Sequence, residues 1–242
     1  IDLEGDFKPA AESTDTFKTR VDNATVTTTV NTLKDRSIDS SYAAAYFPWV
    51  QILDPIADRL VYTPPSVVAL GTISNSENKS ELWFAPAGFN RGGLTSGAAG
   101  VPVVGITQKL TSKQRDTLYE ANINPIASFP SEGIVVFGQK TLQVTPSALD
   151  RINVRRLLIF LKKEVSRIAN GILFDQNVQV TWNRFTGRIE PFLRSVQTGL
   201  GLTEFKVVLD SSTTTPDLID RNVLYAKIFL KPAQAIEFIA LD

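Results

Sequence analysis

The chain contains no cysteine and no histidine, and these two absences remove whole classes of function. Without cysteine there is no disulfide, and without either residue type there is no zinc site of the usual Cys/His kind. Catalytic arrangements of the Ser-His-Asp and Cys-His types are excluded for the same reason. An enzyme built on this sequence would need a carboxylate or a lysine with a shifted pKa as its general base.

The chain also lacks an excess of charge and a long apolar run. Lys and Arg number 25, and Asp and Glu also number 25. A nucleic-acid-binding protein needs a clustered basic excess, so we predict no nucleic-acid partner. No stretch of about 20 apolar residues is present, which predicts no membrane insertion. Methionine is absent as well, and we expect these 242 residues to be an internal piece of a longer polypeptide.

Apolar spacing predicts alternating strands and long helices. Val154, Leu157, Leu161 and Val165 recur every three or four residues, which predicts an amphipathic helix over 150–170. Three further helices are predicted: one that begins after a Ser66 cap, one over 111–122 with Thr111 or Ser112 as its cap, and one over 178–200. Residues 216–221 are predicted to form a turn or a single helical turn. Strands are predicted at 50–53, 60–62, 123–129, 133–138, 205–209, 223–230 and 236–241. This alternation favours an α/β (α+β) fold, a mixed sheet packed with long amphipathic helices.

Three segments are less regular. The alternating, β-branched run 24–30 predicts a strand within an otherwise polar, linker-like stretch, 1–45. Residues 85–105 are rich in Gly, Ala and Pro, which predicts a long loop. Pro191 lies inside a predicted helix, where a proline costs about 3 kcal/mol, and we expect a bend near Glu190.

Two glycine-containing motifs invite comparison with ligand-binding loops. The run GIVVFGQKT at 133–141 is nearly a phosphate-binding loop, but Gln139 separates the second glycine from Lys140. Its intervening residues favour a strand, and we interpret it as a core strand. The motif at 88–93 lacks the strand, G-x-G-x-x-G and helix order of a dinucleotide site, which favours a structural or contact loop.

Charged side chains near the C-terminal half have an ordinary interpretation beside a functional one. Arg155 and Arg156 begin a basic helix face, which is either a solvated surface or an ion-pairing surface for another subunit. Asp175, Asp217 and Asp220 lack the spacing of a calcium loop. We interpret these aspartates as capping and surface-pairing residues, so no metal or other cofactor is predicted.

A series of motifs then occurs in a fixed order along the chain. They are YFPWVQILDP at 46–55, TPPS at 63–66, WFAPAG with RG at 83–92, NPIASFPSEGIVVFG at 124–138, INVRRL at 152–157, IEPFLRSVQ at 189–197, TPDLIDRN at 215–222 and KPAQAIEFI at 231–239. Together these motifs resemble the tail sheath family of contractile phages, and the last three resemble its large myovirus branch.

The resemblance implies a fold and a role. Residues 46–242 would be the sheath core domain, and residues 1–45 a linker or the edge of an outer or inserted domain. Sheath subunits stack as six-fold rings around a tail tube above a baseplate, and their contraction drives the tube through the host envelope. The energy is stored in the extended lattice, so the resemblance implies a structural virion protein, assembled in the host cytoplasm, that is not an enzyme.

The resemblance also implies contact surfaces. In the family, extended terminal arms add strands to sheets of neighbouring subunits. We expect this chain to be monomeric by itself, with sheet edges left unpaired. We also expect five charged residues to lie near subunit or tube contacts: Arg155, Arg156, Asp217, Asp220 and Arg221.

Three alternatives remain open from the sequence. The first is the sheath of a related contractile injection machine, of the bacteriocin or secretion type. The second is an enzyme with a carboxylate- or lysine-based site, which would need perturbed carboxylates in a deep pocket. The third is an adhesin or carbohydrate-binding module, which is suggested only by the threonine-rich start of the chain.

Overall fold

The computed structural model describes residue 19, residues 25–54, residue 56 and residues 58–237. The chain divides into two compact units, residues 1–155 and residues 156–242. Helices and small sheets are combined, which confirms the predicted α/β (α+β) class. The predicted assignment of 1–45 and 46–242 to separate domains stays a prediction.

The elements of the described residues follow a simple order. The helices are α1 (Val26–Asp35), α2 (Pro65–Lys79), α3 (Ser112–Glu120), α4 (Ile152–Asn170), α5 (Gln179–Thr198) and α6 (Pro216–Asp220). The strands are β1 (Ala45–Phe47), β2 (Val50–Asp54), β3 (Arg59–Thr63), β4 (Val103–Ile106), β5 (Ile123–Phe129), β6 (Gly133–Val136), β7 (Leu202–Val208) and β8 (Lys227–Pro232).

A mixed sheet of order β1-β5-β6 lies at the centre of the first unit. β1 runs parallel to β5, and β6 runs antiparallel to it. Both faces of β1 are buried, because Ala45 and Phe47 belong to one core cluster while Tyr46 belongs to another. The sheet is therefore packed on both sides, as the near-continuous apolar runs of its strands indicate.

A second sheet of order β3-β2-β4 is antiparallel throughout. Val50 and Val103 are buried on its inner side. Leu53 lies opposite Leu60 on the other side, and both are exposed. The strands predicted at 50–53 and 60–62 are confirmed, with one or two residues added at their ends.

Residues 26–35 form a helix, so the strand predicted over 24–30 is wrong. Val26, Val30 and Leu33 recur at helical spacing and are buried in the first core cluster. Thr29 and Thr32 donate their hydroxyls to carbonyls four positions earlier, which satisfies these polar side chains within the helix. The Val and Thr positions of this run therefore fit both the period of a helix and the alternation of a strand.

The caps of α2 and α3 differ from each other. The cap residue of α2 is Pro64, Pro65 occupies the first helical position, and no side chain caps the helix, so the predicted Ser66 cap is wrong. Proline suits that first position because its missing N–H would have no partner inside the helix. Thr111 caps α3 as predicted, in a reciprocal arrangement with Gln114.

The glycine-rich segment 85–105 packs closely against its neighbours, and its last residues belong to β4 rather than to a loop. A Cβ atom at Gly71 of α2 would lie 2.4 Å from the carbonyl oxygen of Ala99. Only glycine allows the segment to approach the helix this closely. The prediction of one long loop is therefore wrong at its C-terminal end.

The second unit contains most of α4, all of α5, and a two-stranded sheet. Trp182, Phe185 and Ile189 are buried along α5, and the rings of Phe160 and Phe192 lie 5.9 Å apart between α4 and α5. Both long helices are confirmed because their apolar residues follow the helical period over many turns. Pro191 lies inside a continuous helix, and the expected bend stays a prediction.

β7 and β8 form the antiparallel sheet of this unit, and α5 contacts β7. The strand predicted at 223–230 is displaced, because β8 begins at Lys227 and includes Pro232. Pro232 pairs with Leu202 at the end of the ladder, where a missing N–H is tolerated. Ile236 and Glu237 are not in a strand, and the rest of the strand predicted at 236–241 lies outside the described residues.

Candidate subunit-contact surfaces

Arg155 is held inside the first unit by its own neighbours. Its terminal nitrogen donates to the Ser41 hydroxyl, and its guanidinium carbon lies 4.2 Å from the centre of the Tyr42 ring. Its Nε is buried without a hydrogen-bond partner. Arg156, the next residue of α4, is half-buried. Arg155 therefore ties the segment after α1 to the start of α4, and its predicted contact with another chain stays a prediction.

The other three predicted contact residues lie together at α6. The side chains of Asp217 and Arg221 form an ion pair of 3.3 Å, and both are about two-thirds exposed. An exposed pair of this kind contributes little to stability. Asp220 is also exposed and forms no ion pair with the residues described. This short helix therefore presents two carboxylates and one guanidinium to solvent.

A threonine-rich turn precedes α6 and adds a third carboxylate. The hydroxyl and backbone N–H of Ser212 donate to Asp210, and they hold the pKa of this carboxyl below its usual value. Asp210 therefore keeps its negative charge to lower pH than an ordinary aspartate. Thr214 is buried, and its hydroxyl bonds both the N–H and the C=O of Tyr225, which fixes the turn against the chain before β8.

The β7–β8 sheet is open on both sides within the described part of the chain. Phe205, Val207 and Leu230 are half-buried on one face, whereas Phe229 is exposed on the other. Glu204 and Lys231 form an exposed ion pair of 2.8 Å across the two strands. Such a sheet offers unpaired backbone N–H and C=O groups along each edge to a further strand.

The two glycine motifs are structural. The N–H of Gly88 donates to the carbonyl of Val136, and the N–H of Val136 donates to the carbonyl of Gly92, each at 2.9 Å. The segment 88–93 thus extends the mixed sheet along β6. The first four residues of the phosphate-loop-like run form β6, with Ile134 and Val135 buried, as interpreted from the sequence.

Among the residues that the structure describes, no cluster of three or more acidic side chains is arranged to hold a metal ion. Within the same ranges no helix is long and apolar enough to cross a membrane. Of the three aspartates considered for a metal, Asp175 pairs with Arg184 at 2.9 Å and Asp217 pairs with Arg221, whereas Asp220 is exposed and forms no ion pair with the residues described.

Sequence reasoning missed the turn between α4 and α5. Leu173 is exposed there, and Phe174 is fully exposed with a φ of 70°. The sequence feature that could have indicated this turn is the apolar run Ile172–Phe174, which follows Gly171 at a point where α4 has already ended. Leu173 and Phe174 follow the end of α4, so they are not part of its buried face.

Solved structures with the same fold are sheath components of contractile machines. The sheath complex of the extracellular contractile injection system PVC, in its contracted state, matches with a TM-score of 0.77, 23% identity, and coverage of 96% of this chain and 68% of that one. The contracted helical sheath of the anti-feeding prophage matches with a TM-score of 0.72, 24% identity, and coverage of 84% and 56%. The fold is therefore that of a contractile sheath protein.

Sequence comparison finds similar phage tail sheath proteins. Residues 144–242 match the phage tail sheath C-terminal domain. The tail sheath protein of Vibrio phage KVP40 is 36% identical over 222 residues, which are 92% of this chain and 30% of the relative. That of Enterobacteria phage T4 is 33% identical over 206 residues, 85% of this chain and 30% of the relative. The chain is therefore similar over most of its length to phage tail sheath proteins, and it spans about 30% of the length of these relatives.

Proposed function

We propose that this chain is the core of a structural subunit of a contractile phage tail sheath. The subunit polymerises as six-fold rings around a tail tube protein, with a baseplate as a further partner, and contraction of the rings drives the tube through the host envelope. The observation that carries the proposal is the similarity of 84–92% of the chain to three phage tail sheath proteins. The mixed fold, with its open two-stranded sheet, supports the same role.

The open β7–β8 sheet is the proposed site of strand addition between subunits. Its edges carry unpaired backbone groups, and an added strand forms main-chain hydrogen bonds whatever its sequence. Exposed Phe229 gives the added strand an apolar neighbour on the outer face. Each subunit can then be linked to its neighbours by many hydrogen bonds, which allows the subunits to shift as bodies without separating.

The proposed subunit does no chemistry of its own. Its work comes from the free-energy difference between extended and contracted lattices. The curated relatives are sheath proteins, which supports a non-enzymatic role and a place in the virion tail. Assembly would take place in the host cytoplasm, before the virion is released.

The test is electron microscopy of the full-length protein that carries this chain. Negative-stain images should show tubes or stacked rings with six-fold symmetry. Reversing the exposed charges, with Asp217→Lys and Asp220→Lys, should weaken assembly at least about tenfold if α6 lies at a subunit or tube contact. Glu132→Lys, an exposed charge reversal in the first unit, is the matched control. Soluble monomers at high concentration would contradict the sheath role.

A sheath of a related injection machine is the second candidate, because the solved structures with this fold come from such machines. Their identities of 23–24% are lower than the 31–36% found with phage sheaths, which favours the phage role. The genes next to the coding sequence decide between them, since a phage sheath is encoded beside capsid and packaging genes.

A further inference from the structure

The turn between α4 and α5 exposes apolar side chains that the described residues of the second unit leave in solvent. We call Leu173, Phe174, Val178 and Val180 the apolar tip. Each of these side chains is at least half exposed, and Phe174 is fully exposed. A cluster of large apolar side chains in solvent is typical of a protein contact site rather than of ordinary surface.

The apolar tip is held in a fixed shape. Asp175 pairs with Arg184 of α5 at 2.9 Å, and Asn177 accepts a hydrogen bond of 2.7 Å from the Trp182 indole. Asn177 also donates to the carbonyl of Val223. Phe174 itself has a φ of 70°, a conformation that bulky residues rarely adopt. The turn therefore presents Phe174 to solvent from a backbone held by hydrogen bonds and an ion pair on its C-terminal side.

The charge of α4 and α5 is strongly uneven. Residues 152–198 contain eight Lys and Arg residues against three Asp and Glu, although the whole chain is neutral. Arg188 and Arg194 lie on the exposed side of α5 and form no ion pair with the residues described. Residues 199–242 have the opposite balance, with four basic and six acidic residues. Their exposed carboxylates include Asp217 and Asp220.

We propose that the apolar tip, with Phe174 as anchor, docks on a second copy of this chain. The arginines of α5 then face the carboxylates of α6 in that copy. Charge complementarity identifies the partner of the apolar tip as a second copy, because one chain carries both the basic surface and the acidic surface that would match it. Contact between different surfaces of two copies extends into rings or helices rather than closing as a pair. This inference rests on the proposed sheath function and names the contact residues.

The test uses the full-length protein and measures the fraction that sediments as tubes, with electron microscopy of the pellet. Phe174→Ser should lower that fraction about tenfold or more, as loss of a central aromatic anchor does. The matched control is Leu200→Ser. Leu200 is also exposed, at 68%, has a φ of 64° and lies in the same unit beyond the other end of α5. Both side chains are in solvent, so neither change should alter folding.

Charge exchange tests the pairing of the two surfaces. Arg188→Glu with Arg194→Glu should weaken assembly, as should Asp217→Lys with Asp220→Lys. The protein with all four changes should return to within about threefold of wild type, because opposite charges face each other again. Wild-type tubes with no effect of Phe174→Ser, or no recovery in the fourfold variant, would overturn this contact and leave the sheath role intact. A wild-type protein that forms no tubes would overturn both.

Discussion

Asn124 is fully buried in β5 and joins three segments of the first unit. Its Nδ2 donates to the carbonyls of Ala45 in β1, at 3.0 Å, and of Lys140, at 2.8 Å. Its Oδ1 accepts a hydrogen bond of 2.6 Å from the N–H of Lys140. No local pattern predicts this role, because Ala45 lies 79 positions earlier in the chain.

We expect Asn124→Leu to lower the free energy of unfolding by about 3 kcal/mol. A leucine of similar volume cannot form any of the three hydrogen bonds, and it takes from the backbone groups of Ala45 and Lys140 the amide that they bond. Urea unfolding followed by circular dichroism measures the change, with the exposed Asn90→Ala as control, which should stay within about 0.5 kcal/mol of wild type. An unchanged midpoint for Asn124→Leu would show that water replaces the lost partners.

Arg155 shows at the same scale why the predicted contact residues could not be assigned from sequence. The motif INVRRL placed it on a basic helix face, and that helix is present. Its guanidinium is nevertheless engaged by Ser41 and Tyr42, which lie more than 110 positions earlier. Local spacing gives the face of a helix, but the fold decides which part of the chain meets it.

Among the elements, the long helices were predictable and α1 was not. α4 and α5 repeat their apolar spacing over 19 and 20 residues, so no other period fits them. α1 has only 10 residues, and its Val and Thr positions satisfy both a helical and an alternating pattern. The first turn favours the helix over a strand, because Thr25 and Thr28 cap each other's backbone N–H groups there.

Thr25→Ala should therefore destabilise α1 by about 1 kcal/mol, the usual effect of losing a side-chain cap. Hydrogen exchange of the α1 amide groups measures this directly, since the unprotected first turn would exchange faster. Thr27→Ala is the matched control, because Thr27 is exposed within the same helix and makes no capping bond. Equal exchange in the two variants would mean that core packing alone holds the helix.

For the whole molecule, we expect the 242-residue chain alone to be monomeric in dilute solution. One aromatic anchor and a few exposed ion pairs are less than a stable interface needs, which is about 1,200–2,000 Å² of buried surface. In the proposed sheath, each subunit would therefore need to combine several such contacts with strand addition. Sedimentation equilibrium should give a single species of about 27 kDa, which is the mass of one chain rounded from 26.6 kDa. A ring-sized species would contradict this.

The burial of both faces of β1 has a mechanical consequence for the first unit. A strand with Phe47 in one core cluster and Tyr46 in the other cannot leave its place without opening both clusters at once. Heat or force that disrupts one cluster therefore also disrupts the other, and we expect the two to lose their packing in a single cooperative step. If the proposed sheath function holds, a unit that unfolds only as a whole can shift within the lattice without becoming partly unfolded.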